Sequence, residues 1–310
     1  MKNFIKSILF IIIGVMILSY FNNLYINTNY YKSLDYTERF NHVPNNIEVA
    51  NVGSSHGMYG FDYTDFDVVG FNFGLYAQGF YYDYRMLKQY SPKIKEGATI
   101  IIPISYFSLY QSYEDEKFEE FNKSYYRFLN PRYIKNIKLK KYVTDSLFPL
   151  LSEGGNIKKV FKDIEHKPKE WEIITWNKFA PNEGIREEGH KRSMHHQKDI
   201  INPGKVNKPE TKRELKNIIN YCIENNYKPV LVTLPYLKYY NDFFPDAFYS
   251  EFYGEIEDIR KQYEGLEYMD YSHDKRFTSD IDLFVDSDHM NVNGRKKMTQ
   301  IILKDLGIIK

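Results

Sequence analysis

The chain has 310 residues, enough for one large domain or two small ones with a buried core. Its 42 Lys and Arg balance 41 Asp and Glu, and the resulting net charge of +1 excludes a protein that grips nucleic acid through bulk charge. With 27% charged and 43% hydrophobic residues the chain is not disordered, and its single cysteine, Cys222, excludes an internal disulfide framework or a thiolate metal cluster.

Lys2 and Lys6 precede an apolar run from Ile8 to Tyr20. The uninterrupted run is as short as a signal-peptide core. Counted from Phe4 to Phe21, with Lys6 reaching back toward water, it makes about 27 Å of helix against a bilayer core of about 30 Å. No small-x-small cleavage site follows in Asn22-Asn23-Leu24-Tyr25, so residues 1–25 read as a retained membrane anchor rather than a cleaved signal. A buried helix of a soluble protein needs polar punctuation on one face, and this segment has almost none. The two lysines lie on the N-terminal side and no cation follows until Lys32. The positive-inside rule then leaves the N-terminus in the cytoplasm and residues 26–310 outside it, on the cell membrane.

After a polar stretch to Asn46, short apolar strands alternate with helix-length segments. Strands are expected at 47–52, 68–73, 98–104, 230–234 and 266–270, and helices at 82–90, 209–226, 249–263 and 292–306. The continuous run Ala98-Thr99-Ile100-Ile101-Ile102-Pro103-Ile104 suits a parallel strand covered on both faces. Leu215, Ile218, Ile219 and Cys222 form one helical stripe, which makes Cys222 a packing residue. The alternation predicts a parallel, doubly wound α/β sheet. It lapses from about 106 to 207, read as a partly helical insertion beside the C-terminal ends of the strands. Within it, Arg132 to Glu170 carries ten Lys or Arg against five acids. Such a run is either a solvated helix face or a surface for a polyanion.

Two segments carry chemistry. Asn51-Val52-Gly53-Ser54-Ser55-His56-Gly57 follows the first strand, where a serine at a strand-to-helix turn is exposed and neighbouring N–H groups can face an oxyanion. Asp286-Ser287-Asp288-His289 precedes the last helix; an Asp three residues before a His can accept its Nδ1–H and leave Nε2 to take a proton from a serine. In a doubly wound sheet both loops open on one edge.

With Asn72-Phe73-Gly74 after the second strand, these segments resemble blocks of the SGNH/GDSL hydrolase superfamily over about two-thirds of the chain, the insertion lying outside it. The resemblance implies a three-layer α/β/α, flavodoxin-like parallel sheet, with Ser55 as nucleophile, His289 as general base and Asp286 as its orienter. It also implies oxyanion donors from the N–H groups of Gly74 and Ser55. Where the family offers Gly-x-Asn-Asp, this chain has Ile102-Pro103-Ile104-Ser105-Tyr106, and Ser105 or Gln78 is the candidate for the missing donor. The anchor, the G-S-S turn and this altered block are similar to a membrane-anchored branch that includes the D-alanyl transfer protein of lipoteichoic acid synthesis and polysaccharide O-acetylation proteins. That branch implies acetyl- or D-alanyl-type transfer through a seryl ester onto a cell-surface glycopolymer. Its partners are then an acyl donor, the polymer and a membrane-bound O-acyltransferase, with no cofactor or metal. An esterase of the same polymers shares the first half-reaction. An anchored scaffold without turnover is the non-enzymatic alternative.

Other assignments stay open on the sequence. Ser54 is the alternative nucleophile and Asp288 the alternative orienter. His56 lines the pocket or is incidental. His190, His195 and His196 invite a metal, and Trp171 and Trp176 invite a sugar ring or serve the core. The 29 Tyr and 22 Phe divide between packing and such stacking, and Asn291 and Asn293 are placed to cap the last helix.

Overall fold

The computed structural model describes residues 1–32, 37–110, 121–152, 155–162, 184–201 and 208–310. The chain divides into two compact units, one of Met1–Val43 with Glu116–Ile174 and the other of Pro44–Asp115 with Thr175–Lys310. The stretch expected as one insertion is therefore shared between two units. Trp171 and Trp176 lie outside the described residues.

The first unit is built on α1 (Lys2–Ile26), a 25-residue helix long and apolar enough to cross a membrane. No part of its most apolar stretch is buried. Where the apolar run stops, Asn22 Oδ1 accepts the Leu150 N–H at 3.1 Å and Asn22 Nδ2 donates to the Leu147 carbonyl at 3.3 Å. One turn on, Tyr25 packs with Tyr31 and Val160. The partner segment is a chain of short helical turns at 121–127, 131–133, 139–147 and 149–151, followed by the helix Ile157–Lys162.

The second unit holds the sheet. In chain order it runs β1 (Ile47–Asn51), α2 (Ser55–Gly60), β2 (Gly70–Asn72), α3 (Phe80–Tyr90), β3 (Ile94–Pro103), α4 (Ile185–Ile201), α5 (Lys208–Glu224), β4 (Lys228–Thr233), α6 (Asp246–Arg260), β5 (Glu267–Asp270) and α7 (Val292–Asp305). All five strands are parallel in the order β2-β1-β3-β4-β5, the flavodoxin-like order. Val49, Ile101, Val230 and Val232 face one layer, where they meet Met298, Ile302 and Leu303 of α7. The strand pleat turns Ile100, Ile102 and Leu231 to the opposite face, where they are equally buried, so a layer covers each side. These central strands read as unbroken apolar runs because neither face meets water. Cys222 is buried on α5, as its stripe predicts.

The connections place the loops. The chain leaves β1 toward β2 on one side and leaves β3 toward β4 on the other, so the C-terminal ends of β1 and β3 flank the switch point. At the mouth of β1, Gly53 turns with φ +111°, a conformation that L side chains rarely adopt. Its N–H donates to buried Asp83 Oδ1 at 2.8 Å. At the head of α7, Asn291 Oδ1 accepts the N–H groups of Asn293 and Gly294, so Asn291 alone is the cap. Its Nδ2 donates to the carbonyls of Asp282 and Phe284. Asn291→Ala removes the cap and leaves the buried Phe284 carbonyl and the part-buried Asp282 carbonyl without that donor. It is expected to cost about 2–4 kcal/mol in urea unfolding, against about 1 kcal/mol for a cap alone; Asn291→Asp, which keeps the cap, should lose less.

Candidate active site

Ser55 is the first residue of α2, and the helix is held at the sheet edge by two asparagines. Asn72 Nδ2 donates to the carbonyls of Gly57, Met58 and Phe61 within 3.2 Å. Asn51 Nδ2 donates to Asn72 Oδ1 at 2.9 Å and to the Gly57 carbonyl at 3.0 Å. A Cβ on Gly57 would fall 2.3 Å from the Val52 carbonyl oxygen, so only glycine lets the helix turn back this tightly. The strut fixes where the serine points.

The second loop meets it there. His289 Nε2 lies 2.9 Å from Ser55 Oγ, and His289 Nδ1 lies 3.0 Å from both carboxylate oxygens of Asp286. The structure thus brings together the three residues that the resemblance assigns as nucleophile, base and orienter. Asp286 Oδ1 also accepts the backbone N–H groups of Asp288 and His289, which closes the loop into a tight turn. Ser55 and His289 each keep only 8% of their surface exposed.

Around this line stands a second set of groups that the sequence reading used differently or did not use. Asp288 Oδ1 lies 3.3 Å from His289 Nδ1, so both acids address the same nitrogen. Its other oxygen, Oδ2, lies 3.1 Å from His56 Nε2, and His56 Nδ1 lies 2.7 Å from Ser105 Oγ. With these partners, a neutral His56 donates from Nε2 to the carboxylate and accepts the Ser105 hydroxyl at Nδ1. His56 is therefore a buried link between Asp288 and Ser105.

Arg192, on α4, donates from Nη2 to Asp286 at 2.8 Å and places Nε 3.0 Å from Asp288 Oδ1. Glu188, one turn earlier, accepts the Ser287 N–H at 3.0 Å. Gly189 lets α4 approach, since a Cβ there would meet the Tyr239 carbonyl at 2.3 Å. Neither Arg192 nor Glu188 was expected at the site. The signal that finds them is the spacing Glu188, Arg192, His196, which puts the three on one helical stripe.

Three expected oxyanion donors are engaged elsewhere. The Gly74 N–H donates to Asn72 Oδ1 at 2.9 Å. Gln78 Nε2 spends its two protons on the Phe73 carbonyl and Asp83 Oδ1. The Ser105 hydroxyl serves His56. Of the histidines considered for a metal, His196 Nδ1 bonds the Tyr240 hydroxyl at 2.6 Å and His190 packs on the Phe243 ring. His56, Asp288 and His289 each offer a ligand atom within 4.8 Å of the others, and the hydrogen bond from His56 to Asp288 and the ion pair of Asp288 with His289 account for that closeness.

The electrostatics separate the two buried histidines. Burial opposes charge on His289, but the carboxylates of Asp288 and Asp286 outweigh it and hold its pKa up to about 10. Burial dominates for His56 and pushes it down, against the pull of Asp288. His196 is driven down to about 3 by burial. The Asp288 carboxyl is held well below its ordinary range: burial works against this, and His289, His56 and Arg192 overcome it. One histidine is thus cationic at neutral pH and its neighbour neutral.

NMR titration of His289 in the detergent-solubilised chain tests this balance. Asp288→Asn, which removes a negative neighbour, should lower the His289 midpoint by about 1–3 units, and Arg192→Met, which removes a positive one, should raise it. A midpoint unmoved in both variants would rule out the charge balance described.

No protein-family model matches the chain, and no curated protein matches it. Among the solved structures that resemble it are two proteins of low identity. One is a provisionally assigned acylhydrolase from Bacteroides fragilis, 12% identical, with a TM-score of 0.40 over 88% of this chain and 94% of that one. The other is a protein from Streptococcus pneumoniae provisionally described as a platelet activating factor, 11% identical, with a TM-score of 0.41 over 94% of this chain and 98% of that one.

Proposed function

We propose that the protein is a serine-dependent acyl-transfer enzyme, anchored in the cell membrane by α1, that moves a short acyl group through a seryl ester onto a hydroxyl of a cell-surface glycopolymer. The observation that carries the chemistry is the line Ser55 Oγ, His289 Nε2, Asp286 with both contacts at 2.9–3.0 Å. Ser55 Oγ attacks the acyl carbonyl, its proton passes to neutral His289 Nε2, and the imidazolium then gives that proton to the leaving oxygen. The acceptor hydroxyl repeats the sequence in reverse and restores Ser55. Asp286 and Asp288 stabilise the imidazolium formed at each step.

The oxyanion falls to the N–H groups of Ser55 and His56, which stand in the first turn of α2 where intrahelical acceptors are lacking. A narrow slot beside the turn, walled by Gly53, Ser54, Phe80, Pro103 and Phe107, has room for about one water molecule, so it admits nothing longer than a methyl group. A base held up to about 10 is protonated at neutral pH, so the reaction should quicken as the pH rises. Lys2 and Lys6 before the anchor favour a cytoplasmic N-terminus and a catalytic unit outside, where a surface polymer is the acceptor and a membrane-bound O-acyltransferase the acyl source.

The test incubates the detergent-solubilised chain with an activated acetyl ester and reads the mass of the Ser55 peptide. An acetyl adduct is expected in the wild type and absent in Ser55→Ala, with His289→Ala slowing its formation by about 10²–10⁴-fold. Adding an oligosaccharide or polyol then divides the outcomes. Acetyl on the sugar supports transfer, release to water alone makes the protein an esterase, and no adduct at all leaves a non-catalytic scaffold.

A further inference from the structure

We propose that residues 131–152 and 155–162 form a membrane-interface collar, a cationic and apolar surface that lies among the lipid headgroups around the exit point of α1. The inference rests on the reading that α1 crosses a bilayer, and it is independent of the chemistry at Ser55. Four observations within the first unit support it.

The segment is tied to α1 at a defined height. Asn22, the first polar residue after the apolar run, makes two hydrogen bonds to the backbone of Leu147 and Leu150, and Leu24, Tyr25 and Ile26 pack with Leu150 and Val160. At about 1.5 Å per residue, positions 22–26 rise only about 7 Å beyond Phe21. A bilayer of about 40–45 Å with a core of about 30 Å leaves interfacial layers of about 5–8 Å on each side. Whatever is bonded to residues 22–26 therefore stands at headgroup depth when the apolar run fills the core.

The segment also exposes what an aqueous surface normally hides. Leu139 is 76% exposed and Phe161 64%, with Ile137, Leu147, Leu151 and Ile157 exposed as well. Leu147 is one of the two residues that Asn22 holds, and Leu151 adjoins the other. Large apolar groups gathered on a protein surface mark a partner that is itself apolar.

The charge selects which apolar partner. Residues 131–162 carry eight Lys and Arg against two acids, Asp145 and Glu153, in a chain whose net charge is only +1. Lys140, Lys158 and Lys162 are exposed among the apolar residues, and Lys159 sits over the Tyr30 ring at 4.1 Å. Lysines interleaved with leucine and phenylalanine fit an anionic phospholipid surface, where the ammonium groups meet phosphates and the apolar groups enter the acyl boundary. A soluble polyanion would use the lysines and leave Leu139 and Phe161 in water.

The backbone suits this place too. The turns at 131–133 and 149–151 each begin on a proline, and short helical turns keep their backbone hydrogen bonds local. Local pairing is what a segment needs where water is scarce.

Site-directed fluorescence on the full chain tests the collar. Cys222 is buried and is the one native cysteine, so Leu139→Cys, Phe161→Cys and, within the anchor, Ile12→Cys can each be labelled singly with bimane. Each labelled chain is reconstituted into vesicles of phosphatidylcholine with phosphatidylglycerol that contain headgroup-level nitroxide lipid. The labels at 139 and 161 should be quenched at least two-fold more than in detergent, and the quenching should weaken in pure phosphatidylcholine. If the label at 12 is quenched and those at 139 and 161 match their detergent values, the collar is wrong although the anchor stands. If the label at 12 is not quenched, the membrane crossing fails and the collar with it. Shielding of 139 and 161 that appears only on adding polyphosphate would assign the surface to a polymer and overturn the proposal.

Discussion

Two carboxylates crowd one imidazole nitrogen in this protein, and much of the surrounding structure balances that charge. Asp286 and Asp288 reach His289 Nδ1 at 3.0 and 3.3 Å, and Asp288 is fully shielded from water. Left alone, one acid would take up a proton, as like charges at such distances do. Here His289 is cationic, Arg192 spans both acids, and His56 donates to the far oxygen of Asp288. Removing any one of these leaves an uncompensated charge in a dry place, which is why the groups are best regarded as a unit.

The fold supplies these partners from separate elements. Ser55 and His56 follow β1, Ser105 follows β3, Arg192 sits on α4, and the two acids with His289 precede α7. A parallel sheet brings the C-terminal ends of its strands to one edge, and the switch point between β1 and β3 opens a gap there for side chains. Behind the site the aromatic residues do structural duty. The Tyr106 ring lies 4.8–5.9 Å from the rings of Tyr236, Tyr240, Phe244, Phe248, Tyr249 and Phe252. Its hydroxyl is not left unpaired but donates to Asn241. A rigid aromatic block of this kind holds the Ser105 end of the His56 link in place.

The first unit has a different economy of charge. Its helix α1 presents apolar surface on all sides, and the segment bonded to the helix end is strongly cationic. The near-neutral total hides this division, because the acids concentrate in the rest of the chain. Composition averaged over 310 residues reports solubility class and little about where charge is used.

The elements whose signal is local are legible in the amino-acid order. Unbroken apolar strands, the stripe of α5, the Gly53 turn, the Asn291 cap and the apolar helix α1 are each dictated by period, burial and turn chemistry within a few residues. The Asp286 to His289 pairing is local too, since three residues suffice to fold a carboxylate onto the ring. Contacts at long range are set by how the folded elements pack. Gly74 and Gln78 look like oxyanion donors in sequence, yet Asn72, Phe73 and Asp83 take their protons. Asp288, in sequence only the alternative orienter, becomes the buried centre of the charge network once His56 and Arg192 arrive from elsewhere. Ser105 went to a histidine and not to an oxyanion. The physical reason is one of range: propensity and turn chemistry act between neighbours, whereas desolvation and charge pairing depend on which distant groups burial brings together.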